Sequence, residues 1–301
     1  MLSTPLTVGL VVLGRHIPQF EMFNVMLGDE PVLPPHSRLY QRLLVGDEVE
    51  ATFRAEEALE TEFIGDYYRD VGIPALLISH KDFARGVLSP QRRQDLATAA
   101  RAMVDELAVV VQDELAELRP DGVAPADAAP LPGEGFRVTC FAGRNVLYDL
   151  AASRLAQVPE AEGAAATQRP HSELAPSRFR SIDAQAEDCV VLTFLDAAPT
   201  RASMLQVRRI KRASPHLRVG VLICSMPDNV TDVSDRLADT VAAPDAETLQ
   251  TAEGVGADFV VTSLESVVRA AFSVEAPRVL QPAGPRHKAP RGISAPVAVS
   301  A

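Results

Sequence analysis

Four short apolar runs decide the fold: FRVTCFAG (136–143), DCVVLTFLDA (188–197), LRVGVLICS (217–225) and ADFVVTSL (257–264). Each is close to continuously hydrophobic rather than alternating, the pattern of parallel strands covered on both faces. Helical stretches separate them at 145–157, 200–213, 229–241 and 246–255, and a last helix is expected over 265–274. A further short strand is expected near 164–167. Strand–helix alternation of this kind implies right-handed crossovers and a doubly wound α/β sheet.

Outward from this core the period changes. Residues 36–118 read as helical. Leu39, Leu43 and Leu44 open an apolar face, a second helix runs over about 47–63, and Tyr67 to Leu77 form a third segment with Pro74 at a kink or helix start. Ser89-Pro90 is a helix opening, with Ser as N-cap and Pro in the first turn. The helix after it keeps Leu96, Ala100, Met103, Leu107 and Val111 on one face and stops near Leu118. RPDGVAPADAAPLPGE (119–134) reads as a linker. The chain thus divides into an apolar leading segment (1–20), a helical domain (21–118), the linker (119–134), an α/β domain (135–275) and a tail (276–301). The tail holds five prolines without amphipathic period and is expected to be disordered. The strand count of the second half suits a flavodoxin-like order.

Composition removes several function classes. The 301 residues are 47% hydrophobic and 23% charged, with a net charge of -11. That excludes wholesale disorder, and an acidic chain disfavours a general nucleic-acid binder. No apolar stretch reaches the ~20 residues that cross a bilayer; Leu6 to Leu13 is too short and lacks the flanks of a signal peptide. Cys140, Cys189 and Cys224 lie in the apolar runs, so no disulfide framework is expected and a reducing compartment is implied.

In open α/β sheets, ligands settle beyond the carboxyl ends of the strands. The loops there carry Gly143, Arg144 and Asn145, then Asp196, then Ser225 and Asp228, then Thr262 and Ser263. These are the candidate ligand-binding residues. Arg144 beside a helix N-terminus suits an anion. Capping competes with that reading: Asn145, Asn229 and Thr262 or Ser263 each sit where an N-cap belongs, and Thr262-x-x-Glu265 has the form of a capping box. No Gly-x-Gly-x-x-Gly, Walker A or Gly-x-Ser-x-Gly motif occurs, and the six histidines share no ligand spacing. No catalytic residue, metal site or cofactor is therefore assigned, and the chain is not expected to be an enzyme. Arg208, Arg209, Lys211, Arg212 and Arg218 form a basic cluster suited either to a solvated helix end or to anionic lipid. Glu48, Glu50, Glu56, Glu57, Glu60 and Glu62 give the second helix an acidic outer face.

The first hundred residues carry a family resemblance. PLTVGLVVLGRHIPQFE (5–21), LGDEPVLPPHSRLYQRLLVGDEVEA (27–51) and YYRDVGIPALLISHKDFARGVLSPQRR (67–93) resemble the region after the last membrane helices in autoinducer-2 exporter (PerM-like) transporters. The likeness rests on Pro5, Leu6, Gly14, Arg15, His16, Leu27 to Pro31, Tyr40 to Leu44, Gly46-Asp47, Pro74-Ala75-Leu76 and Ala84-Arg85-Gly86. FAGRNVLYDLAA (141–152), MLQVRRIKRASPHLRVGVLI (204–223) and GADFVVTSLESVV (256–268) resemble a cobalamin-binding-like module of flavodoxin type. Two departures stand out: the transporter's membrane helices are missing from the sequence, and so is the cobalt-ligating Asp-x-His-x-x-Gly. The resemblance implies a cytoplasmic accessory or regulatory region, peripheral to the inner membrane. The partner it implies is the membrane-embedded helices of a transporter; the strand-end crevice adds a small molecule as an expected ligand, and the acidic charge leaves out nucleic acid. The alternative is a free-standing soluble ligand-binding or sensor module.

Overall fold

The computed structural model describes residues 33–118, 131–174, 187–225, 244–273 and 279–280. The parallel strands are β1 (Arg137–Ala142), β2 (Ala165–Arg169), β3 (Cys189–Phe194), β4 (Arg218–Ile223) and β5 (Phe259–Val261). A two-residue β6 (Val279–Leu280) pairs with β5. The order is β2-β1-β3-β4-β5-β6, all parallel, so the chain moves outward once and then reverses between β1 and β3. This is the flavodoxin-like arrangement the apolar runs imply. Two expectations change at the edges. The weakly patterned strand near 164–167 is real and extends to Arg169, while the tail expected to be disordered from 276 supplies β6.

Strand burial follows the sequence pattern. β3 is buried at all six positions, and β1 and β4 at five of six. The thiols of Cys140, Cys189 and Cys224 are free and buried, and burial pushes the latter two up to about 12, far from a reactive thiolate.

Crossover helices cover both faces. α6 (Val146–Ala161) and α9 (Leu264–Phe272) lie together on one side, and α7 (Leu205–Ala213) and α8 (Ala246–Val255) on the other. α7 starts at Leu205 rather than 200, because Thr200 instead closes a turn by accepting a hydrogen bond from the Ser203 N–H at 3.2 Å. The expected helix over 229–241 and most of the tail lie outside the described residues.

The helical region consists of α1 (Pro35–Val45), α2 (Glu48–Leu59), α3 (Ile64–Tyr67), α4 (Ile73–Ala84) and α5 (Pro90–Leu118). A π-helical turn, Tyr68–Gly72, links α3 directly to α4. α1 stops at Gly46, whose φ of 77° is the left-handed conformation glycine tolerates, and Asp47 then caps α2. The helix expected to 63 ends at Leu59. Phe63 already stands at the start of α3. Ser89 caps α5 through the Arg92 N–H, and Leu96, Ala100, Met103, Leu107 and Val111 are buried as their spacing requires.

α5 lies against both α2 and α6, tying the helical region to the sheet. The buried residues of both regions form one continuous cluster. Residues 131–134, expected to be linker, are docked: the Gly133 N–H donates to the Glu162 carbonyl at 2.8 Å, and a Cβ at Gly133 would fall 2.7 Å from the Phe272 ring.

Close approach also fixes Gly220 in β4. A Cβ there would lie 2.1 Å from the Phe259 ring, which is itself buried. Gly220→Ala is expected to cost about 1–3 kcal/mol by overpacking. Urea unfolding checks this, with the midpoint falling at an unchanged slope.

Candidate functional site

The switch point between β1 and β3 is where a crevice opens in this topology. The loop after β1 brings Gly143, Arg144 and Asn145 there, and the loop after β3 brings Asp196. Gly143 is held flat against the neighbouring strand. Its N–H donates to the Thr193 carbonyl at 3.0 Å, and a Cβ would sit 2.6 Å from the Phe194 ring. Asn145 is the N-cap of α6, accepting from the Leu147 N–H at 3.0 Å. Its capping role is thus structural.

Arg144 and Asp196 meet across the switch point, with the guanidinium 3.3 Å from Oδ2. The third member comes from the helical region: His80 on α4 places Nε2 3.1 Å from Oδ1 of Asp196. The His80 ring stands edge-on to Tyr148 at 5.6 Å, and Tyr148 stands edge-on to Phe194 at 6.5 Å. Asp196 is therefore held between an imidazole and a guanidinium over an aromatic floor. The His80 hydrogen bond, helped by the nearby Tyr148 hydroxyl and the Arg144 charge, lowers its carboxyl to about 2 against the opposing effect of burial. Nδ1 of His80 is buried without a hydrogen-bond partner of its own, and the buried Tyr148 hydroxyl faces Asp196. One polar atom beside Asp196 thus lacks a partner, while Arg144 is 54% exposed.

The remaining candidates fall elsewhere. Ser225, Thr262 and Ser263 face Arg69, Ile73, Pro74 and Leu77 around a gap of about 30 Å³, enough for one or two waters. α4 thus runs along the strand ends, touching β3's loop through His80 and the β4 and β5 ends through its first turns. Of the two cap candidates Thr262 and Ser263, Ser263 caps α9: its Oγ accepts from the Ser266 N–H at 3.2 Å. With Ser263 as the cap, Glu265 falls in the first turn of α9 and pairs with Arg69 at 2.9 Å. Asp228 lies outside the described residues.

A second charged group pins this contact. Arg69, 4% exposed, binds Asp66 at 2.5 Å, Asp70 through two nitrogens at 2.8 and 2.9 Å, and Glu265 of α9. One guanidinium thereby serves three carboxylates, and burial raises the Glu265 carboxyl.

Sequence reasoning missed His80, Tyr148 and Arg69. Their partners are 116 residues away for His80 and 196 for the Arg69–Glu265 pair, so no local spacing signals them. The basic cluster divides: Lys211 binds Asp258 at 2.8 Å, and Arg218 donates to the last carbonyls of α9, so both are structural. Arg208, Arg209 and Arg212 stay exposed. Among the described residues no group of three potential ligands could hold a metal ion, and no helix is long and apolar enough to cross a membrane. No protein-family model and no curated protein matches the sequence.

The depressed Asp196 carboxyl has a pH signature. Stability from its ionised form is fully present above the unfolded value near 3.9 and is lost as pH falls through about 2. Asp196→Asn is expected to cost about 1–2 kcal/mol at neutral pH, allowing for solvent screening. Paired thermal melts check it: the difference from wild type holds steady from neutral pH down to about 4 and shrinks toward zero near 2.

Proposed function

We propose that this chain is an accessory, regulatory region like that of an autoinducer-2 exporter family transporter, acting without chemistry of its own. It works by coupling crevice occupancy to the seating of its helical region. One observation carries the coupling: Asp196 at the β1–β3 switch point is hydrogen-bonded by His80, a residue of the helical region. A small molecule that takes the Arg144 and Asp196 groups for itself competes with His80 and loosens α4. Ligand binding and the position of the helical region are then linked reciprocally.

The transporter side of the reading is supported by the ordered sequence blocks from Pro5 to Gly86 that lead into and through the helical region. In that reading α1 to α5 stand between a membrane-embedded partner and the α/β domain, so a change in their seating reaches the partner. The likeness to cobalamin-binding modules extends to the fold and not to the ligand histidine, since the β1 loop offers Arg144 and Asn145 instead. The ligand this crevice suits is small and anionic or hydroxylated, able to pair with Arg144 and to accept from or donate to His80.

Calorimetric titration with nucleotides, cobalamins and quorum-signal analogues tests the coupling. The expected result is heat from one class, with faster amide exchange in α4 on binding. Heat from none of them removes the mechanism. Carbonate washing of cell membranes tests the location: the chain is expected with membranes and released by the wash. Recovery only in the soluble fraction favours the second reading, a free-standing sensor, which the single shared core of the two regions supports.

A further inference from the structure

Arg154 lies in the middle of α6, fully buried between that helix and the helical region. One of its nitrogens donates to the Gly72 carbonyl at 3.1 Å. Its Nε and remaining NH2 group have no hydrogen-bond partner. The guanidinium carbon lies 5.8 Å from the centre of the Tyr68 ring. After the two tyrosines, the charge that acts on it is another cation, Arg101. No carboxylate among the described residues pairs with it: Asp149 on the same helix is taken by His171, and Asp66 and Asp70 by Arg69. A buried charge is tolerated when paired and hydrogen-bonded on all sides, and is costly otherwise.

The segment covering Arg154 is the π-helical turn, Tyr68–Gly72. Such wide turns are rare and gather at functional places in helices. Gly72 permits the contact, because a Cβ there would fall 2.8 Å from the Tyr68 ring and 3.3 Å from Nε of Arg154. The Tyr68 hydroxyl donates to Gln157 Oε1 on α6, so the turn is tied down on either side of the guanidinium.

We propose that Arg154 makes this seam a cocked latch. The closed packing carries a charge without a counter-ion, and lifting the π-turn and α4 from α6 relieves it. The protein therefore opens here ahead of global unfolding, and the uncovered guanidinium takes up an oxyanion. α4 also carries His80, so the same movement uncovers Asp196. The latch rests on the geometry of the seam and not on the transporter reading.

Native-state hydrogen exchange of the full chain, read at residues 68–84 against β1 and β3, tests it. Wild type is expected to exchange faster at 68–84 than in the strands, by about tenfold or more. Millimolar sulfate, too dilute for general exclusion effects, should speed exchange at 68–84 at constant ionic strength. Arg154→Met removes the charge and keeps most of the volume. It is expected to raise the thermal midpoint by about 4 °C or more, slow exchange at 68–84, and abolish the sulfate effect. A lower midpoint in the Met variant with unchanged exchange at 68–84 overturns the proposal. Should that variant not fold, wild type decides alone: exchange at 68–84 no faster than in the strands, or indifferent to sulfate, overturns it.

Discussion

Helix α6 is enclosed on every side, and the rest of the molecule is arranged around that fact. From Leu147 to Pro159 every residue is buried, with the sheet beneath and the helical region above. A helix buried all round has no outer face on which to leave polar groups. Asp149, Ser153, Arg154 and Gln157 therefore need partners within the fold. Asp149 receives the His171 ring and backbone N–H, both at 2.7 Å. Ser153 accepts from Arg101, and Gln157 donates to the Val104 carbonyl while accepting from Tyr68. Most of these partners belong to α5 and the π-turn. The helical region is thus the missing half of α6's environment and not an appended bundle.

The same seating shapes the crevice. In a bare doubly wound domain the β1–β3 switch point opens to solvent. Here α4 lies along the strand ends and supplies His80 to Asp196, while Arg69 and its three carboxylates anchor the preceding turn to α9. The polar contacts that would orient a ligand are therefore also contacts that hold two parts of the protein together. Any group that displaced His80 from Asp196 would therefore disturb packing between the two parts as well as a hydrogen bond.

The strands were legible because parallel strands covered on both faces must be apolar almost without interruption, and the runs around Val190, Val221 and Val260 have that form. Helix ends were legible where a cap residue announces them, as at Asn145 and Ser89, and left open between two positions where cap residues stand side by side, as at Thr262 and Ser263. The strand-end loops gave Arg144 and Asp196, which do meet. What remained hidden depended on pairings across the chain. Nothing near His80 marks it as the partner of Asp196. Nothing in VLYDLAASRLAQV, residues 146–158, says that its polar side chains face protein instead of water. The spacing of those residues is that of an ordinary amphipathic helix, and only the presence of a covering layer changes their meaning.

Helix α5 runs for 29 residues without interruption, about 44 Å of stiff rod. It touches α2 along one flank and α6 along another. It also meets α1 and α4, so four helices bear on one rod. A tilt of about 5° at one support carries the far end about 4 Å, more than the play that close-packed side chains allow. A rearrangement that tilts α5 would therefore shift the helices resting on it together instead of one at a time.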